Sequence, residues 1–357
     1  SIRDYGAVNP EFGTMEDFKM LVDRAHELGM KVILDWVAAH TSRDAVWLDQ
    51  QDWYIRRPDG TPEFLYDWSD VARLNYQSQP MRQAMLEKML FWLEEVDVDG
   101  FRCDMADLTP VDFWEWAVPQ LRKAKPDIFM LAESENPVNT RQAFNAYYAW
   151  RLHHSMNSVA RGEKNADSLR QCLDQMVRDF GPNPIPLLFT SNHDENSWSG
   201  TEFERMGEAV FQMAAFSFVL PGIPLIYTGQ EVGNTKRLAF FEKDTLLPNE
   251  SEQYKDFYSR LITFRKTSDA LQVPPYGGHL LEVPHSGTSG VFAFTRETKG
   301  NRVLALFNFT SQPVSFRLTC SQTEGTYTDW NGLDHYTIDT LYNWNLEPYG
   351  YRLLTLE

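Results

Sequence analysis

Apolar positions along the first 270 residues switch between two periods. Phe18, Leu21, Val22, Ala25 and Leu28 recur at helical spacing and predict a helix over 15–29, closed by Gly29. Lys31-Val32-Ile33-Leu34-Asp35-Trp36-Val37 then runs almost unbroken, as a strand covered on both faces does. The alternation continues, with helices over 80–96, 110–124, 166–180, 203–219 and about 252–267, and strands over 99–104, 128–133, 186–192 and 223–227. A weaker strand is expected near 151–159. Such alternation implies a parallel sheet covered by helices, with ligands at the carboxyl ends of its strands. Past Val273-Pro274-Pro275-Tyr276-Gly277-Gly278 the runs become short. Those at 290–295, 302–309, 313–318 and 351–356 predict an antiparallel β-sandwich. The expected division is therefore 1–272 and 273–357, with residues 41–77, rich in Trp, Tyr, Asp and Pro, as an irregular insertion. A loop that long inside a compact domain is usually functional.

Composition narrows the chemistry. Lys and Arg total 33 against 50 Asp and Glu, a net charge of −17, which argues against nucleic acid or an anionic membrane as the partner. Aromatic residues at 14%, 11 of them Trp, supply ring faces on which flat apolar ligand faces stack. Cys103, Cys172 and Cys320 are too few and too scattered for a disulfide framework or a four-ligand zinc site. No apolar run reaches the ~18–20 residues of a membrane span.

Four strand ends carry Asp35 with His40, Arg102-x-Asp104, Glu133, and Asn192-His193-Asp194. Three acids on one rim repel, so one pKa should rise while Arg102 holds a neighbour ionised. A protonated acid beside an ionised one is what an acid-plus-nucleophile mechanism requires, and retaining glycoside hydrolysis uses such a pair. Any one of these acids could instead be a cap or a salt bridge. A metal site from Asp35, His40, His193 and Asp194 is a further alternative, though HxxxH-type or Cys-rich spacing is missing.

Asp35-Trp36-Val37-Ala38-Ala39-His40 resembles the first signature of the alpha-amylase family, glycoside hydrolase family 13. Gly100-Phe101-Arg102-Cys103-Asp104 resembles its second, Ala132-Glu133-Ser134 its third, and Phe189-Thr190-Ser191-Asn192-His193-Asp194 its fourth. Asn9 to Thr14 is similar to the stretch before the first signature, and Pro221 to Glu231 to the eighth strand. The resemblance implies an α/β fold, a (β/α)8 TIM-type barrel that is N-terminally incomplete here, plus the C-terminal β-sandwich. It implies Asp104 as nucleophile, Glu133 as general acid/base and Asp194 as transition-state stabiliser. His40, Arg102, Asn192 and His193 would bind or orient the sugar.

Departures from the family pattern refine this picture. The Asn that often holds calcium is Ala39, and the calcium-binding Asp of the fifth signature is Arg73 in Val71-Ala72-Arg73-Leu74-Asn75, so no metal and no cofactor is expected. Asp107-Leu108 stands where many alpha-amylases carry Lys-His, so contacts on the acceptor side should differ. Two βα units are expected ahead of Asp4-Tyr5, either upstream of Ser1 in a longer protein or on a second chain. The activity implied is retaining hydrolysis of alpha-1,4-glucans through a covalent glycosyl-enzyme. The alternatives are a transglycosylase or cyclomaltodextrin-type enzyme of the same family, and an inert glucan-binding protein.

Overall fold

The computed structural model describes residues 1–246 and 252–357. The chain forms two compact units, Ser1–Tyr148 and Ala149–Glu357. In the first, helix α1 (Met15–Glu27) opens on a capping box between Thr14 and Asp17 and leads into strand β1 (Ile33–Trp36). A two-stranded ladder of β2 (His40–Ser42) and β3 (Val71–Arg73) closes the 41–77 stretch, pairing His40 with Arg73. Helix α2 (Gln79–Glu94), strand β4 (Gly100–Cys103), helix α3 (Val111–Ala124), strand β5 (Phe129–Ala132) and strand β6 (Ala146–Tyr148) follow. β1, β4, β5 and β6 pair in parallel in that order. Met81, Met85, Met89, Phe101, Phe113 and Trp114 fill the core beneath them.

The second unit begins with helices α4 (Trp150–Ala160) and α5 (Ala166–Phe180), then strand β7 (Ile185–Leu188). The strand expected near 151–159 is therefore a helix, and the true strand is β6 just before it. Leu152, Met156 and Val159 bury one face at intervals of four and three, the helical period. The predicted helix over 203–219 is also broken. Helix α6 (Glu202–Met206) starts on a Thr201–Glu204 capping box and ends at Gly207, whose φ of +53° turns the chain before helix α7 (Val210–Val219). Strand β8 (Ile223–Pro224) pairs in parallel with β7, and helix α8 (Glu252–Thr267) follows.

Residues beyond 278 form the antiparallel part. β9 (His279–Glu282), β10 (Val291–Thr298), β11 (Asn301–Asn308), β13 (Gly325–Asp329), β14 (His335–Ile338) and β16 (Tyr351–Leu356) make one sheet in the order β14-β13-β16-β11-β10-β9. β12 (Val314–Phe316) and β15 (Trp344–Leu346) make a second. β10 and β11 are covered on both faces, which explains their near-continuous apolar runs. Val291, Ala293, Leu304 and Leu306 face a core with Phe316 and Trp344. Phe292, Phe294 and Phe307 ring Phe216 of α7. No helix among the described residues is long and apolar enough to cross a membrane.

Candidate active site

Parallel register sets the first cluster. β1, β4 and β5 pair Asp35 with Arg102 and Cys103 with Ala132, so their carboxyl ends stop side by side. The ladder runs one residue further, with the Asp104 amide donating to Trp36 O at 3.0 Å and the Glu133 amide to Cys103 O at 3.0 Å. Gly100 makes this close approach possible. Its φ is +152°, and a Cβ there would lie 1.9 Å from Phe129 O.

Arg102, 7% exposed, sits between three acids. Its Nη1 donates to Asp35 Oδ1 at 2.7 Å and to Asp104 Oδ1 at 2.8 Å, and its Nη2 lies 2.8 Å from Glu133 Oε1. Nε donates to the Tyr148 hydroxyl at 3.2 Å. Burial alone would lower the guanidinium pKa, but Tyr148 and the three carboxylates outweigh it and raise it further. Glu133 has a second tether, since its Oε2 accepts from the Met105 amide at 2.8 Å. Met105 reaches it through a left-handed conformation, φ 36° and ψ 57°, which is uncommon for a residue with a side chain.

His40 belongs to the same unit and is buried. Desolvation lowers its pKa, with nearby Asp104 opposing the shift, so the ring is neutral near pH 7. Its Nδ1 has no hydrogen-bond partner among the described residues. The turn that presents it is held by two buried phenols: Tyr5 donates to Val37 O and His40 O, and Tyr76 to Ala38 O at 2.7 Å. Asp107 ties down the segment after Glu133, accepting from Ser134 Oγ and from Asn139 Nδ2, each at 2.8 Å.

The second cluster lies in the second unit, past β7. Asp194 and His193 are partly exposed, with His193 Nε2 3.5 Å from Asp194 Oδ2. Asn192 is 1% exposed, and its Oδ1 accepts from the Glu195 amide at 2.8 Å, bracing the turn. Beneath them lies a buried polar network. Arg205 donates to Thr190 O, Gly200 O and Asn157 Oδ1, and His153 contacts Phe189 O and Glu195 at 3.0 Å each. Burial would raise the Glu195 pKa, but His153 and Arg205 outweigh it and lower it.

Glu202 behaves oppositely. Burial pushes its carboxyl up to about 7, although Thr190 Oγ1 donates to it at 2.9 Å. The folded chain thus holds a proton that the unfolded chain releases above the ordinary carboxyl value of 4.5. Stability from this group is present below about pH 4.5 and lost as pH rises through about 7, a change of ~3 kcal/mol. Glu202→Gln mimics the protonated form and should remove that slope. Its urea midpoint is expected to match wild type near pH 4.5 and exceed it near pH 8. Equal midpoints at both pH values would show that Glu202 does not carry the proton.

Comparisons with known proteins decide the family. The family described as "Alpha amylase, catalytic domain" matches residues 1–68 and 59–270, and "Maltogenic Amylase, C-terminal domain" matches 281–353. The chain belongs to the alpha-amylase family. It is 27% identical over 342 residues to alpha-amylase MalA of Haloarcula japonica, covering 91% of this chain and 50% of that protein. It is 24% identical over 341 residues to a cyclomaltodextrinase of Thermoanaerobacter pseudethanolicus, covering 87% of this chain and 57% of that one. The chain thus spans little more than half the length of these curated relatives. The crystal structure of a noncanonic maltogenic alpha-amylase, AmyB from Thermotoga neapolitana, aligns with a TM-score of 0.88 at 25% identity, over 100% of this chain and 84% of that one. The fold is accordingly the TIM-barrel type of the alpha-amylases with a C-terminal antiparallel domain.

The calcium ion that the family resemblance brings to mind does not fit the residues present. Ala39 is buried and offers no side-chain oxygen, and Arg73 on β3, whose backbone pairs with His40, carries a guanidinium that lies 3.4 Å from Glu63 and supplies no oxygen ligand. Among the described residues, no group of three or more His, Cys, Asp or Glu is arranged to hold a metal. Because Ala39 and Arg73 supply no oxygen ligand at the family's calcium position, chelator treatment is expected to shift the Tm by less than about 1 °C. A larger drop in a calorimetric scan would reveal a metal site elsewhere. Three participants had no sequence signal as site residues: Tyr148, the Met105 amide and the Ser134–Asn139 pair. Tyr148 ends β6, two strands from the Arg102 strand with β5 between them, and only its ring's reach to Arg102 marks it.

Proposed function

We propose that this chain carries the catalytic machinery of a retaining α-glucan hydrolase, with residues 1–272 as the barrel portion and 273–357 as the accessory β domain. The family matches ending at 270 and beginning at 281 support that division. One observation carries the mechanism: a single buried guanidinium holds Asp104 and Glu133 at 2.8 Å each. A retaining pair needs its carboxyl groups about 5–5.5 Å apart, and a shared Arg fork suits that spacing. Glu133 protonates the glycosidic oxygen while Asp104 attacks the anomeric carbon. Glu133 then deprotonates the water that releases the sugar. Asp194 stabilises the oxocarbenium-like transition state, and His40, Arg102, Asn192 and His193 bind or orient the sugar and the acids. Proton NMR of the first product released from maltoheptaose by the full-length protein tests the reading. The α-anomer is expected first, and the β-anomer first would overturn retention.

Asp107 favours a second reading within the family. It is pinned to Ser134 and Asn139, so the acceptor side of Glu133 lacks the Lys-His pair expected for strict hydrolysis of starch. Products longer than the starting maltooligosaccharide would identify a transglycosylase or cyclomaltodextrin-type enzyme.

A further inference from the structure

Three large rings stand in water beside His193 in the second unit. Asp194 opens a π-helical turn (Glu195–Ser199), which carries Trp198 out to 61% exposure. Phe240 and Phe241, 39% and 82% exposed, come from the segment that follows β8. Trp198 lies 5.1 Å from Phe240 between ring centroids, Phe240 4.9 Å from Phe241, and His193 stacks on Phe240 at 6.0 Å and 21°. These steps are of the order of one pyranose ring.

The cluster is held in place. The Leu238 amide donates to Asn196 Oδ1 and Ser197 Oγ donates to Leu238 O, each at 2.8 Å, which clamps the Phe240 segment to the turn bearing Trp198. The Ala239 amide donates to Asp244 Oδ2 at 2.9 Å, Lys236 pairs with Asp244, and Arg237 pairs with Glu204 at 2.9 Å. Exposed apolar patches of this kind mark binding sites. A net charge of −17 disfavours an acidic partner, whereas a neutral chain with apolar C–H faces suits three bare rings. The patch is continuous with His193, so its occupant is the same molecule that reaches Asp194.

We propose that Trp198, Phe240 and Phe241 form a stacking subsite for the α-glucan chain that extends away from His193, giving the site a preference for long chains. This rests on the function proposed above. Three variants of the full-length protein test it: Trp198→Ala, Phe241→Ala and the double substitution. The double variant should raise KM for maltoheptaose roughly tenfold, as loss of aromatic anchors does, with kcat within about twofold and a smaller effect on maltotriose. Trp198→Phe should recover most of the loss, which a folding defect would not allow. Equal KM changes for short and long substrates, or none, would overturn the subsite. Retardation by amylopectin in a native gel separates the two readings. A wild type that turns over no maltooligosaccharide yet is retarded, while the double variant is not, defeats the hydrolase and supports the subsite. Equal retardation of both overturns the subsite.

Discussion

Asp104→Asn and Glu133→Gln, in the full-length protein, should each abolish nearly all turnover of maltooligosaccharides, for different reasons. Asp104→Asn removes the proposed nucleophile, and the loss is expected at about four orders of magnitude or more. Glu133→Gln leaves the proposed nucleophile but removes the proposed general acid and base, for an expected loss of about 10²–10⁴-fold. An aryl glycoside with an acidic leaving group separates the two, because such a group departs without protonation. It should restore the first chemical step in Glu133→Gln, seen as a burst of released phenol, and do nothing for Asp104→Asn. Near-normal turnover in either variant, with folding intact by circular dichroism, would falsify that residue's assignment.

Arg102→Met should damage both stability and catalysis. The guanidinium is buried and faces Asp35, Asp104 and Glu133 within 2.8 Å. Removing one partner of a buried ionic cluster costs about 3–5 kcal/mol, since the remaining charges lose their compensation. The urea midpoint should fall accordingly, and kcat should fall because neither carboxylate is oriented. Arg102→Lys offers the informative comparison. One ammonium carries the charge but cannot span three acids and a phenol, so stability should recover more than turnover. Full recovery of both by Lys would mean that only the net charge matters, and the shared-fork mechanism would be wrong.

Much of this architecture could be read from apolar periodicity, because the helices of both units and the buried strands present long, one-sided or continuous patterns. Asp35, Arg102, Asp104 and Glu133 could be placed together because each ends a strand of one parallel sheet, and parallel register brings such ends into line. The failures have physical causes. Residues 151–159 have too few apolar positions to separate the two periods, and only burial of Leu152, Met156 and Val159 shows the helix. The break at Gly207 lies inside a helical spacing of apolar positions, Phe203, Met206, Val210 and Met213, that continues through it. Strands β13, β14 and β15 are short and mostly polar on one side, so their pairing rather than their composition defines them. Tyr148 and the Met105 amide carry no such pattern, because one acts through a phenol outside every signature and the other through a backbone N–H.

The left-handed turn at Met105 has a mechanical consequence. It fastens Glu133 to the residue directly after Asp104, while Arg102 grips both acids from the other side. Displacing either carboxylate therefore strains a contact that the other shares, and the proposed pair is expected to act as one stiff jaw. In the proposed reaction the sugar ring, being the softer body, takes up the deformation on the way to a flattened cation. A loop change that loosened Met105 would let the two acids breathe independently, and bond cleavage would slow with no reacting group altered.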